Sequence, residues 1–98
     1  ERGVAVAYRD MKQYPQAIEA VNRAMKSSAS NPELYYLKGQ ILSTYGNKQK
    51  SAAMLQESVK NFDVAIAKKA QLPPDLVKQI ERERNRAVRR LSTVAQQK

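Results

Sequence analysis

Tyr35-Tyr36-Leu37-Lys38-Gly39-Gln40-Ile41-Leu42, followed by Ser51-Ala52-Ala53-Met54-Leu55-Gln56-Glu57-Ser58, is the stretch that decides the fold of this chain. Its order of small and large residues already stands 34 positions earlier. Ala5, Tyr8, Ala17, Val21 and Ala24 correspond to Gly39, Leu42, Ser51, Leu55 and Ser58. A period of about 20–50 residues marks stacked supersecondary units, none of which can bury its apolar face alone. Stacks of this kind present binding surfaces. The repeat therefore speaks to how the chain works rather than to which partner it holds.

Working outward from this stretch, the spacing of apolar residues predicts five helices. Gly3 to Lys12 carries Val4, Ala5, Tyr8 and Met11 at helical spacing; Tyr14-Pro15 breaks the run, and Pro15 suits the first position of the next helix. That second helix, Pro15 to Ser28, places Ala17, Ile18, Val21, Ala24 and Met25 on one stripe. Asn31-Pro32-Glu33 then reads as an N-cap, a first-position proline and an acid favourable to the helix dipole. The third helix is expected to stop at Gly46-Asn47, a C-terminal signal, and the fourth to run from Lys48 to Ala70. Ala52, Leu55, Val59, Phe62 and Ile66 form a heptad seam along the fourth. Pro73-Pro74 forces a break, and Asp75 to Gln96 makes a long amphipathic fifth helix. Short connections imply antiparallel neighbours. The expected fold is all-α: two antiparallel helical hairpins over residues 1–70 and a C-terminal capping helix over 74–98.

In these residues the chain resembles the tetratricopeptide repeat family, whose pattern is W-x2-L-G-x2-Y, then A-x3-F, then P. The second unit reads Tyr35-x2-Lys38-Gly39-x2-Leu42, then Ser51-x3-Leu55-x2-Ser58; the first reads Glu1-x2-Val4-Ala5-x2-Tyr8, then Ala17-x3-Val21-x2-Ala24. Small residues at Ala5/Gly39 and Ala17/Ser51 would let the helices of a hairpin approach closely. Glu1 and Lys38 depart from the family's aromatic and leucine, and Pro32 comes three residues late. The resemblance covers residues 1–58, with the remainder as an added helix; the alternative is a generic helical bundle. It implies an α-solenoid fragment in which the first helix of each hairpin lines a groove for an extended or helical peptide. Arg2, Val6 and Arg9 on the first helix, and Tyr36, Gln40 and Ser43 one repeat on, are the candidate contacts. Their basic and aromatic mixture suits an acidic or amphipathic protein segment. Tyr36 has a second reading, packing on the adjoining hairpin. Some members of the family clamp a terminal carboxylate with Lys and Asn, but Val6 and Leu37 stand where those asparagines would be.

The fifth helix has two faces. Leu76, Ile80, Ala87, Leu91 and Val94 share one, fit to cover the end of a helical stack. Lys78, Arg82, Arg86 and Arg89 share the other, with Arg90 beside them. The basic face reads either as a solvated side or as a contact for nucleic-acid phosphates, an acidic membrane surface or an acidic protein. Glu81–Arg84 and Glu83–Arg86 pairs are expected to support this helix locally.

The chain of 98 residues carries 18 Lys and Arg against 9 Asp and Glu, a formal charge of +9, which attracts anionic partners. Without histidine or cysteine there is no imidazole base, no thiol nucleophile and no Cys-based metal site. Gly39 and Gly46 stand alone, so no phosphate loop is present. No enzyme activity, cofactor or metal is expected. No apolar run reaches the roughly 20 residues that span a bilayer. The start at Glu1-Arg2-Gly3 reads as a piece of a longer protein. Lack of cysteine suits the cytosol and an oxidising envelope or periplasm alike, with the cytosol slightly favoured. Oligomeric state is left open. The expectation is a non-catalytic protein-interaction scaffold, with an anion-directed module as the alternative.

Overall fold

The computed structural model describes residues 2–28 and 30–96, with the side chains of residues 4–28 and 30–96. Five α-helices carry it: α1 (Arg2–Asp10), α2 (Tyr14–Ser27), α3 (Pro32–Gln49), α4 (Ala52–Ala67) and α5 (Pro74–Gln96). A single 3-10 turn, Lys69–Gln71, precedes α5. No strand occurs among the described residues, and the fold is all-α.

The helix ends follow local chemistry. Asn31 caps α3: its side chain accepts a hydrogen bond from the Glu33 amide at 3.0 Å, and Pro32 occupies the first turn, where its missing N–H costs nothing. Gly46 does not end α3, contrary to the sequence expectation. The helix continues to Gln49, and Lys50 takes the left-handed position, with φ 52. Gly46 is kept small for another reason. A Cβ there would sit 2.9 Å from Met54 Cβ and 3.1 Å from Leu55 Cγ. The fourth helix accordingly begins later than expected, with the Ser51 hydroxyl accepting from the Met54 amide at 3.2 Å. It also ends earlier, at Ala67.

Gly39 and Gly46 together set how α3 meets α4. A Cβ on Gly39 would lie 2.7 Å from Phe62 Cε1, and the Ser58 hydroxyl donates to the Gly39 carbonyl at 2.6 Å. Advancing along α3 from Gly39 to Gly46 means retreating along α4 from Phe62 to Leu55, so the pair is antiparallel. Tyr14 at the start of α2 stacks on Tyr45 near the end of α3, centroids 5.5 Å apart. The Lys48 ammonium lies 5.8 Å from the Tyr14 ring.

Two apolar clusters result. Ala5, Ala17, Ala20, Val21, Leu34, Leu37 and Ile41 bind α1 and α2 to α3. Phe62, Ala65, Leu72, Ile80 and Ala87 bind α4 to α5, with Val59 and Ile66 packed against them. Ile80 and Ala87, expected on the covering face of α5, are fully buried. Leu76, Leu91 and Val94 are half-buried. Of the positions that repeat at 34 residues, Ala5, Ala17, Val21, Leu55 and Ser58 are 0% exposed and Gly39 and Leu42 are buried, whereas Tyr8, Ala24 and Ser51 are half-buried.

Two mutational outcomes follow. Gly39→Ala gains about 1 kcal/mol of helix propensity, but driving a Cβ into the buried Phe62 ring costs roughly 1–3 kcal/mol by overpacking. The expected net effect is a lower melting temperature, larger for Gly39→Leu; an unchanged or raised Tm for Gly39→Ala contradicts this packing. Removing residues 74–98 strips the cover from Val59, Phe62 and Ile66. The shortened chain is expected to aggregate or lose cooperative melting. A soluble, monomeric, fully helical 1–72 chain shows that α5 is dispensable.

Candidate functional site

The alignment of α5 with α3 is set by polar side chains. The Tyr36 hydroxyl of α3 donates to Glu83 of α5, and Arg90 of α5 donates to the Ser43 hydroxyl at 3.0 Å. Both pairs are 47 residues apart, and the second lies seven residues beyond the first on each helix. Two helical turns of matched register mean that α3 and α5 run parallel, side by side, with antiparallel α4 packed against both. On the other flank of α3, Arg9 of α1 donates to Gln40 Oε1 at 2.8 Å. The molecule measures 39 × 27 × 19 Å, its thin dimension fitting two helix layers.

One continuous network occupies this junction. Gln40 Nε2 donates to the Tyr36 hydroxyl and to Glu83 Oε1, each at 3.0 Å. Gln79 Nε2 donates to the Tyr36 hydroxyl at 2.9 Å and to Glu83 Oε2 at 3.2 Å. Gln40 and Gln79 thus converge on the Tyr36–Glu83 pair, which restricts the rotamers of all four. The Tyr36 ring sits 6.1 Å from Phe62 of α4, within its own hairpin, and its hydroxyl faces the junction with α5. Burial, then the hydrogen bond and charge of Glu83, raise its pKa well above the ordinary 10.0.

Two hollows flank the network and share Arg9 and Gln40. The first, about 330 Å³, is lined by Val6, Leu37 and Leu76 together with Glu33, Tyr36 and Gln79. The second, about 270 Å³, is lined by Ser43, Thr44, Glu83, Arg86 and Arg90. A larger hollow, about 590 Å³, shares no residue with either; it lies among Val4, Ala20, Ala24 and Leu34 and gathers no convergent network.

Val6, Arg9, Tyr36, Gln40 and Ser43, singled out from sequence, all border the two hollows. The side chain of Arg2 lies outside the described residues. The basic face of α5 divides. Lys78, Arg82, Arg86 and Arg89 are exposed and Arg90 is half-buried; of these, Arg86 and Arg90 line the second hollow. Among the described residues neither Arg86 nor Arg90 has a carboxylate at ion-pair distance. Burial, then the charge of Arg86, lower the Arg90 pKa, as happens to a cation without an anion beside it. Arg84 pairs with Asp63 on α4, and Glu83 serves α3, so the expected Glu81–Arg84 and Glu83–Arg86 pairs give way to contacts between helices. Gln79, Glu83 and Thr44 were not among the sequence candidates. Gln79 and Glu83 sit four apart on the flank of α5 between its two faces, a signal that only the register with α3 makes readable.

No protein-family model matches the chain, and no curated protein and no solved structure matches it. Among the described residues no helix is long and apolar enough to cross a membrane. No group of three metal-ligating side chains occurs among them either.

The pH dependence has a definite sign. The folded chain keeps Tyr36 protonated where the unfolded chain releases the proton near 10.0. The network's contribution is therefore complete below that pH and falls as pH rises beyond it. Spectrophotometric titration is expected to show one phenolate forming well above pH 10.0, absent in Tyr36→Phe. Identical titration curves for both proteins refute the assignment.

Proposed function

We propose that this chain is a non-catalytic protein-interaction module of tetratricopeptide-like design. The face built from α1, α3 and α5 receives a peptide or protein partner. The observation that carries this reading is the parallel alignment of α3 and α5 through Tyr36–Glu83 and Ser43–Arg90, with Arg9 of α1 joining from the opposite flank. Alternate helices of a stacked array are brought side by side in this way, and two hollows with fixed polar walls lie along their seam. The chain has neither histidine nor cysteine, which favours binding over catalysis.

A second reading has its own observation. Lys78, Arg82 and Arg89 remain exposed on α5, in a chain of formal charge +9. This favours an anion-directed module in which α5 meets nucleic acid or an acidic membrane surface.

Two variants separate the readings. Val6→Lys fills the apolar hollow, and its long stem can lie along the wall while the ammonium stays wet. A Lys78/Arg82/Arg89→Gln variant neutralises only the outer face. With immobilised protein, partner capture is expected to fail for Val6→Lys and survive for the triple variant. The reverse result, with steep salt dependence, favours the second reading and removes the first.

A further inference from the structure

The two hollows differ in chemistry, and their difference specifies a ligand. One sets the aliphatic side chains of Val6, Leu37 and Leu76 among the polar groups of Arg9, Glu33, Tyr36, Gln40 and Gln79. The other presents Arg86 and Arg90 beside the Ser43 and Thr44 hydroxyls, with Arg9 at the shared border. Three guanidiniums there face one carboxylate, Glu83, whose oxygens already accept from Tyr36, Gln40 and Gln79. Arg9 is paired with Asp10 at 3.4 Å, but Arg86 and Arg90 have no such partner among the described residues. Two like charges held near one half-buried hollow are relieved by an anion placed between them.

We infer that the second hollow is a carboxylate subsite and the first an apolar subsite for one extended peptide, with an Asp or Glu three residues from a large aliphatic side chain. This rests on the peptide-binding reading above. The spacing comes from the helices: Leu37 and Ser43 mark the two hollows on α3, and six residues at 1.5 Å each place them about 9 Å apart. A polyproline-type peptide rises about 3.1 Å per residue with three residues per turn, so side chains i and i+3 project on one side about 9 Å apart. An unmodified peptide supplies its anion as a carboxylate, whose two oxygens match the planar fork of a guanidinium such as Arg86 or Arg90. A nucleic-acid strand would have no use for the aliphatic hollow, and the Tyr36 ring is already packed toward Phe62 rather than open for base stacking.

The test is selection of a phage-displayed random dodecapeptide library on the full 98-residue chain, on Val6→Lys, and on Arg86→Gln and Arg86→Gln/Arg90→Gln. Arg86 is exposed, so its single variant is expected to fold normally; circular dichroism checks each protein. The native chain is expected to enrich peptides with Asp or Glu three residues from Leu, Ile, Val or Phe. On the arginine variants the acidic preference disappears while the aliphatic one persists. In a labelled synthetic peptide of the enriched sequence, changing the acid to its amide is expected to weaken binding to the native chain by about tenfold or more. The same change should have little effect on the double variant. Binders lost with Val6→Lys but lacking a spaced acid overturn the carboxylate subsite and leave the peptide groove standing. So does a synthetic peptide of the enriched sequence that binds only when phosphoserine replaces the acid. A library that yields no binder sensitive to Val6→Lys removes the groove reading with it.

Discussion

The contact of Gly39 with the Phe62 ring is the constraint on which the remaining architecture depends. With no Cβ at Gly39, α3 and α4 come close enough for the Ser58 hydroxyl to reach the Gly39 carbonyl, a side chain bonding to the backbone of another helix. Gly46 repeats the device two turns later against Met54 and Leu55. A pair of helices fixed at two points along its length cannot rock, so the direction of α4 is settled. The face that α4 offers to α5 follows, because Phe62, Ala65, Val59 and Ile66 lie on the flank that receives Ile80 and Ala87.

The position of α5 in turn makes the candidate site. Its apolar stripe is committed to α4, which leaves its Gln79–Glu83–Arg90 flank lying along α3. Tyr36 links core and site in one side chain. Its ring belongs to the cluster around Phe62, while its hydroxyl reaches Glu83. A half-buried carboxylate such as Glu83 is costly unless its oxygens are engaged. Tyr36, Gln40 and Gln79 supply the donors. The polar seam is therefore a register device as well as a surface: a shift of α5 along α3 would break the Tyr36–Glu83 and Ser43–Arg90 pairs together.

Charge is distributed by the same geometry. Arg84 spends its charge on Asp63 and helps tie α5 to α4. Lys78, Arg82 and Arg89 stay in water, where single charges contribute little to stability. Arg90 is different: it is half-buried where it borders the second hollow and has no carboxylate at ion-pair distance among the described residues, while Arg86 lines the same hollow from an exposed position. The basic residues of a helix that reads from sequence as amphipathic thus occupy three separate electrostatic environments.

Much of this was legible in the order of residues. The five helices follow from apolar spacing, the start of α3 from Asn31-Pro32-Glu33, and seven of the buried positions from the 34-residue repetition of small and large side chains. These features depend on neighbours within a turn or two of the same helix, so a linear pattern records them. The role of Gly46 was not legible, because a glycine kept for close approach and a glycine that ends a helix are the same letter. Nor was the alignment of α5: its pairs with α3 stand 47 residues apart, not 34, so the repeat gives no guide to them. Which arginines face α3, and which face water, depends on how Ile80 and Ala87 seat against Phe62. That is a matter of packing between segments distant in the chain, and only the tertiary structure decides it.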